Sequence, residues 1–200
     1  MSVTGSTPRI RMQQLAYALA LAATAATGGR LLDGGAGLAA QAAGFILVAA
    51  AVLWRLWATL FVAGRKDVAL VRDGPYAACR HPLYLGSIVA ASGIGLTTRS
   101  LALALALPLV IGILAVVSAR REDTALAAAH GAAWREYRAA TPAFRPALRR
   151  MRTPERVSVP PAIYRKAFLD AASFLALWLL VLLLETLRAG GAWRAALPLP

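Results

Sequence analysis

The chain has 200 residues, of which 59% are hydrophobic and 16% charged, with a mean hydropathy of +0.61. Soluble domains run nearer about 45–50% apolar and about 25% charged, so this composition excludes a disordered chain and a water-soluble globule. The net charge of +13 is gathered between long apolar blocks, which points to membrane orientation rather than nucleic-acid binding, and the single cysteine, Cys79, excludes an internal disulfide or a cysteine-built metal site.

A helix needs about 20 apolar residues to cross a bilayer. Five stretches qualify or come close. The first, Met12–Thr27, is short and alanine-rich; Arg9 and Arg11 before it also fit a cleaved signal peptide, and a retained helix is the preferred reading. The second, Gly37–Ala63, carries Arg55 inside it. The third, Leu83–Thr97, starts beside a proline, is too short to cross alone, and forms a hairpin with the fourth, Leu101–Ala119. Its Gly86, Gly93 and Gly95 allow another backbone to approach closely. The fifth, Ala167–Leu187, holds the densest apolar run.

The basic residues set the orientation. Seventeen of the 22 Lys and Arg fall in the N-terminal segment, the loop after span two and the segment Arg120–Lys166, against four on the other side. The positive-inside rule puts the N-terminus and both long loops in the cytoplasm and the C-terminus outside. The fold class expected is all-α: a polytopic helical membrane protein with about five transmembrane helices. Residues 1–147 form its core, and 148–200 a basic linker plus an additional C-terminal transmembrane helix.

Two cytoplasmic segments concentrate polar chemistry. In the first, Gly74-Pro75 marks a turn, and Pro82 keeps His81 out of helical geometry while opening span three. Arg80, His81 and Tyr84 are thereby held at a helix N-terminus, where free N–H groups and the helix dipole receive a carboxylate or phosphate. A basic collar with an interfacial tyrosine accounts for the same residues. The second segment continues span four into water with adjacent acids Glu122 and Asp123. Gly131 stops that helix, and a short one carrying Trp134 and Tyr137 follows and ends before Pro142. The acids serve either as a site or as neutralisers of Arg120 and Arg121. Arg55 is an intramembrane charge, hence a functional candidate by default, or else it snorkels. His130 has no second ligand at metal spacing and reads as a surface residue. Arg149, Arg150, Arg152 and Arg156 suit anionic headgroups.

Taken together, Gly74-Pro75-Tyr76, Arg80-His81-Pro82-Leu83-Tyr84-Leu85-Gly86, Glu122-Asp123, Leu126, Gly131, Trp134, Tyr137, Thr141-Pro142, Phe144 and Pro146 resemble the membrane methyltransferases related to isoprenylcysteine carboxyl methyltransferase and the phospholipid methyltransferases. The likeness covers roughly residues 65–147, in order and in spacing. It implies S-adenosylmethionine as methyl donor, bound at the cytoplasmic membrane face. It implies a cofactor site of Tyr76, Arg80, His81, Pro82, Tyr84, Gly86, Glu122, Asp123 and Tyr137, with Glu122 as a catalytic candidate and no metal; a carboxylate acceptor wants an arginine near the pocket, with Arg55 or Arg121 as candidates and Arg55 the preferred catalytic one. The acceptor implied is lipophilic and enters from the bilayer: a prenylcysteine-like or other hydrophobic carboxylate, or a phospholipid amine. Asp123 stands where the family has glutamate, His130 replaces an aromatic, and the fifth span extends beyond many members. That span walls the lipid entrance or forms a homo-oligomer interface. A sterol reductase-like enzyme using NADPH and a non-enzymatic lipid-holding scaffold are the alternatives. Arginine-heavy usage and short termini suggest a bacterial cell membrane.

Overall fold

The computed structural model describes residues 21, 22, 24, 27–29, 34–65, 69–191 and 197–199. The first expected span, and with it the signal-peptide question, lies outside the described residues apart from a few positions. The four later spans are helices: α1 (Gly34–Val62), α3 (Pro82–Thr97), α4 (Leu101–Ala140) and α5 (Pro161–Ala189), with a single turn α2 (Pro75–Ala78) before α3. Helices α1, α4 and α5 are each long and apolar enough to cross a membrane, while α3 belongs to the shorter apolar class. At 1.5 Å per residue its 16 residues reach only about 24 Å, short of a bilayer core of about 30 Å. The chain is a helical integral membrane protein.

The helix ends follow local chemistry. Gly64, at φ +76°, takes the left-handed conformation that closes α1. Pro82 occupies the first turn of α3, where its missing N–H costs nothing. Ser100 Oγ accepts from the Leu103 N–H to start α4. Within α4, Gly131 has non-helical angles (φ 50°, ψ −116°), so the predicted stop is a sharp break between two helical pieces.

The chain divides into two units, each interleaved along the sequence. The first comprises the described residues within 1–48, 91–111 and 175–200. Its packing is governed by small residues. A Cβ on Gly93 would sit 2.5 Å from the Gly44 carbonyl, and one on Gly95 would sit 2.8 Å from Ala104 Cα. Backbones therefore meet at both places, the second being the α3–α4 hairpin. Thr97 Oγ1 donates to the Gly93 carbonyl (2.9 Å) and accepts from Trp178 Nε1 (2.8 Å), tying α5 to α3. Arg188 pairs with Glu185 (2.5 Å) and donates to the Thr24 carbonyl. Strands β1 (Thr27–Gly29) and β2 (Leu197–Leu199) pair in parallel, Thr27 opposite Leu197. Leu101, Leu105 and Leu109 form an exposed stripe at intervals of four along the part of α4 in this unit. Such a stripe is a liability in water, whereas lipid covers it without cost.

The second unit comprises 49–90 and 112–174. Here the loop before α3 is stitched to the segment after α4. Arg80 N–H donates to the Pro142 carbonyl (2.9 Å), His81 N–H to Ala143 (3.1 Å), Ala147 N–H to Ala78 (3.0 Å) and Gly74 N–H to Arg152 (2.9 Å). Gly74 has φ +57° and lies against the Phe61 ring, which a Cβ would meet at 2.4 Å. The two polar segments, more than forty residues apart in sequence, thus form one backbone-bonded body over a core that includes Phe61, Cys79 and Trp134.

Candidate functional site

Pro82 keeps His81 outside the helix, and the hydrogen bonds to Pro142 and Ala143 consume the backbone donors of Arg80 and His81. Their side chains are left to meet α4. His81 is 3% exposed; its Nε2 lies 2.8 Å from Asp123 Oδ1, and its Nδ1 lies 4.0 Å from Glu122 Oε2. Phe144 and Tyr84 flank the imidazole, with ring centroids at 5.6 and 5.8 Å. Arg80 Nη2 approaches Asp123 Oδ2 at 3.7 Å, and its guanidinium stacks over Trp134 at 5.6 Å.

The two acids have different positions. Successive helical residues point about 100° apart. Asp123 is turned inward, 18% exposed and engaged by His81 and Arg80, whereas Glu122 is 43% exposed with its carboxylate at the rim. Tyr137 donates its hydroxyl to the Tyr76 carbonyl (2.7 Å). Arg72, which the sequence reading did not single out, donates to the Ala133 carbonyl (2.6 Å), holding the piece of α4 beyond Gly131.

Arg55 forms a second centre on the first turns of α3. It is 3% exposed and donates from Nη1 to the Leu83 carbonyl (2.7 Å) and Ser87 Oγ (2.8 Å). Its Nη2 pairs with Asp170 Oδ2 at 2.5 Å, and the Phe174 ring lies 4.8 Å from its Cζ. Trp54 Nε1 donates to the Pro82 carbonyl (2.9 Å). The backbone approach expected at Gly86 is not found; a Cβ there would lie 2.6 Å from Arg55 Cγ, so the glycine makes room for the arginine side chain instead. Asp170 went unnoticed in the sequence, although a lone acid in an apolar stretch is a signal that finds such residues.

Of the expected site residues, His81, Arg80, Asp123 and Glu122 gather at one place, with Tyr84 beside them. Tyr76 enters through its carbonyl, Tyr137 supports it, and Pro82 and Gly86 serve the Trp54 and Arg55 contacts. Two kinds of buried donor here have no protein acceptor: Arg80 Nε and Nη1, and Trp134 Nε1. Among the described residues, no three His, Cys, Asp or Glu side chains come together as a metal would require.

Comparison with known proteins gives a consistent result. The phospholipid methyltransferase family matches residues 35–133. The cobalt-zinc-cadmium resistance protein CzcN of Cupriavidus metallidurans is 35% identical over 156 residues, covering 78% of this chain and 72% of that protein. The nickel-cobalt-cadmium resistance protein NccN of Alcaligenes xylosoxydans xylosoxydans is 34% identical over 145 residues, covering 72% and 68%. No solved structure matches significantly.

Proposed function

We propose, since this chain belongs to the phospholipid methyltransferase family, that its second unit binds S-adenosylmethionine and transfers the methyl group to a lipophilic acceptor drawn from the bilayer. The observation that carries the reading is the meeting of His81 with the acidic pair, at 2.8 Å from Asp123 and 4.0 Å from Glu122.

The residues fit such a cofactor. It would bring an ammonium, a carboxylate and a sulfonium cation. Glu122, the acid not consumed by hydrogen bonding to His81, suits the ammonium. The first-turn N–H groups of α3, at the positive helix end, suit the carboxylate, and Arg80 adds charge of the same sign. Bound there, the cofactor supplies an electrophilic methyl group, and this chain's residues orient and shield it. Asp123 holds the His81 ring in one orientation. The Arg55–Asp170 pair fixes the start of α3 through the Leu83 carbonyl, so we assign Arg55 to positioning. Exclusion of water by the surrounding lipid and by Trp134 and Phe144 favours transfer to an anionic acceptor, whose charge is lost in the reaction. An amine acceptor must arrive deprotonated.

The site is proposed to face the cytoplasm of a bacterial cell, with the N-terminus on that side, from the distribution of Lys and Arg. The names of the relatives connect them with resistance to cobalt, zinc, cadmium or nickel; the role proposed here is methylation of a membrane component in that setting. Growth of a strain lacking this protein in those cations tests the role apart from the chemistry.

The chemistry is tested by calorimetric titration of the full chain in lipid nanodiscs with S-adenosylhomocysteine and, separately, NADPH. Saturable binding of the former alone, weakened tenfold or more by Glu122→Ala, is expected, since a charge-assisted hydrogen bond contributes roughly 1.5–3 kcal/mol. Binding of NADPH alone would move the chain to the reductases, and binding of neither to a folded sample would make it a scaffold.

A further inference from the structure

The second unit holds a cleft of about 450 Å³ between the C-terminal end of α4 and the segment that follows it. Its lining contains three arginines, Arg80, Arg138 and Arg150, together with Thr141, Pro142 and Ala147, and it contains no acid. Glu122 is not part of it.

The lining has a natural structural explanation, which covers only part of it. Arg150 Nη1 donates to the Ala140 carbonyl and so caps the end of α4, a common use of arginine at a helix C-terminus. Arg80 is not accounted for in this way. Its side chain is nine-tenths buried, and neither Nε nor Nη1 has an acceptor. Its one anionic neighbour, Asp123, stands at 3.7 Å, outside hydrogen-bond reach, and is already shared with His81. A buried guanidinium with two orphaned donors is costly unless something accepts from them.

Charge points the same way. Asp123 beside Arg80 offsets one of the three positive charges and the C-terminal carbonyls of α4 about half of another, which leaves the cleft positive. The balance favours an anion with several oxygens. Guanidinium groups approaching from more than one direction match a phosphate, whose oxygens accept forked pairs of N–H bonds. Arg145, Arg149 and Arg152 flank the cleft in sequence and raise the local concentration of anionic headgroups.

We propose that the Arg80–Arg138–Arg150 cleft is a phosphate-binding site distinct from the Glu122 face, with Arg80 the residue it shares with the proposed cofactor site, taking the phosphate of a membrane lipid headgroup or a free phosphate. Occupation gives Arg80, which lines the cleft and shares Asp123 with His81, a second anionic neighbour and so stiffens the wall that holds His81.

The test titrates the full chain, in maltoside micelles free of phospholipid, with dihexanoyl phosphatidylglycerol, with inorganic phosphate, and with uncharged dihexanoylglycerol as the blank. One saturable phosphatidylglycerol site per chain is expected, weakened about tenfold by Arg138→Gln and further by Arg138→Gln with Arg150→Gln. Arg149→Gln, outside the lining, should leave it in place. Arg138 makes no capping bond, so its variant reports on the site even if loss of Arg150 unfolds the end of α4. Inorganic phosphate binding as tightly as the lipid assigns the site to free phosphate, and weaker binding assigns it to the headgroup. Arg138→Gln should not change S-adenosylhomocysteine affinity, which separates this site from the cofactor site. Absence of saturable binding of both phosphate probes, or binding indifferent to Arg138→Gln, overturns the proposal.

Discussion

Replacing Asp170 by asparagine tests whether the charge buried in α1 is held by its partner in α5. Arg55 is 3% exposed and Asp170 36%, with 2.5 Å between Nη2 and Oδ2. Removing one member of a fully buried pair costs about 3–5 kcal/mol, because the other charge stays behind uncompensated. Two features lower that figure here. Asp170 is partly open to its surroundings, and asparagine keeps an oxygen that still accepts from Arg55. The Leu83 carbonyl, Ser87 Oγ and the Phe174 ring also remain as partners of the guanidinium. Asp170→Asn is therefore expected to cost about 2 kcal/mol and Asp170→Leu about 3 kcal/mol. For a chain of this length these correspond to melting temperatures lower by roughly 4–8 °C and 6–12 °C. Arg55→Met combined with Asp170→Leu should recover most of the loss, since a well-packed apolar pair replaces a buried ion pair at little cost. Thermal unfolding in nanodiscs, followed by near-ultraviolet circular dichroism, measures all three. A shift below 1 °C for Asp170→Asn, or a double variant no more stable than Asp170→Leu, would refute the reasoning.

Two further outcomes follow from packing and burial. Gly93→Val should lower the melting temperature sharply, because its Cβ would meet the Gly44 carbonyl at 2.5 Å and Val48 Cγ2 at 2.9 Å; Gly112→Val, with nothing within 4 Å, should not, and equal effects in the same assay would remove small-residue packing as the cause. Cys79 is fully buried, and burial pushes its thiol up to about 11 from 9.0, against a smaller opposing effect of the His81 backbone. A raised thiol value means less thiolate at a given pH, so at pH 8 only about one in a thousand is ionised, and iodoacetamide should modify native Cys79 about a hundredfold more slowly than the unfolded chain. Mass spectrometry of timed samples reads the rate, and fast native labelling would contradict the burial.

The sequence was informative wherever the determining chemistry is local. Apolar runs and the prolines and glycines that punctuate them mark α1, α3 and the apolar part of α4 to within a few residues; the polar continuation of α4 ends before Pro142 as expected, and α5 begins at Pro161, before its apolar stretch. Gly131 announces the break in α4 because a backbone at φ 50°, ψ −116° is open to glycine and closed to residues with a Cβ. The approach of the Arg80–His81 segment to the Glu122–Asp123 pair came from a resemblance, since spacing alone cannot place residues forty apart against each other. The unequal positions of the two acids were not legible, because adjacency in a sequence gives no indication of which of two neighbouring carboxylates faces inward.

Arg55 shows the same limit in a different form. From its own surroundings it is a charge in an apolar helix, equally consistent with snorkelling and with a site. Its partner Asp170 lies 115 residues away, and the reason for Gly86 lies in Arg55 rather than in any neighbouring backbone. Three residues on three helices therefore make one constraint: the glycine leaves space, the arginine fills it, and the aspartate neutralises the arginine. That constraint reaches the carbonyl of Leu83, two residues from His81. A substitution at Asp170 should then be felt at the imidazole without touching it, which makes the pair a support for the site as well as for the fold.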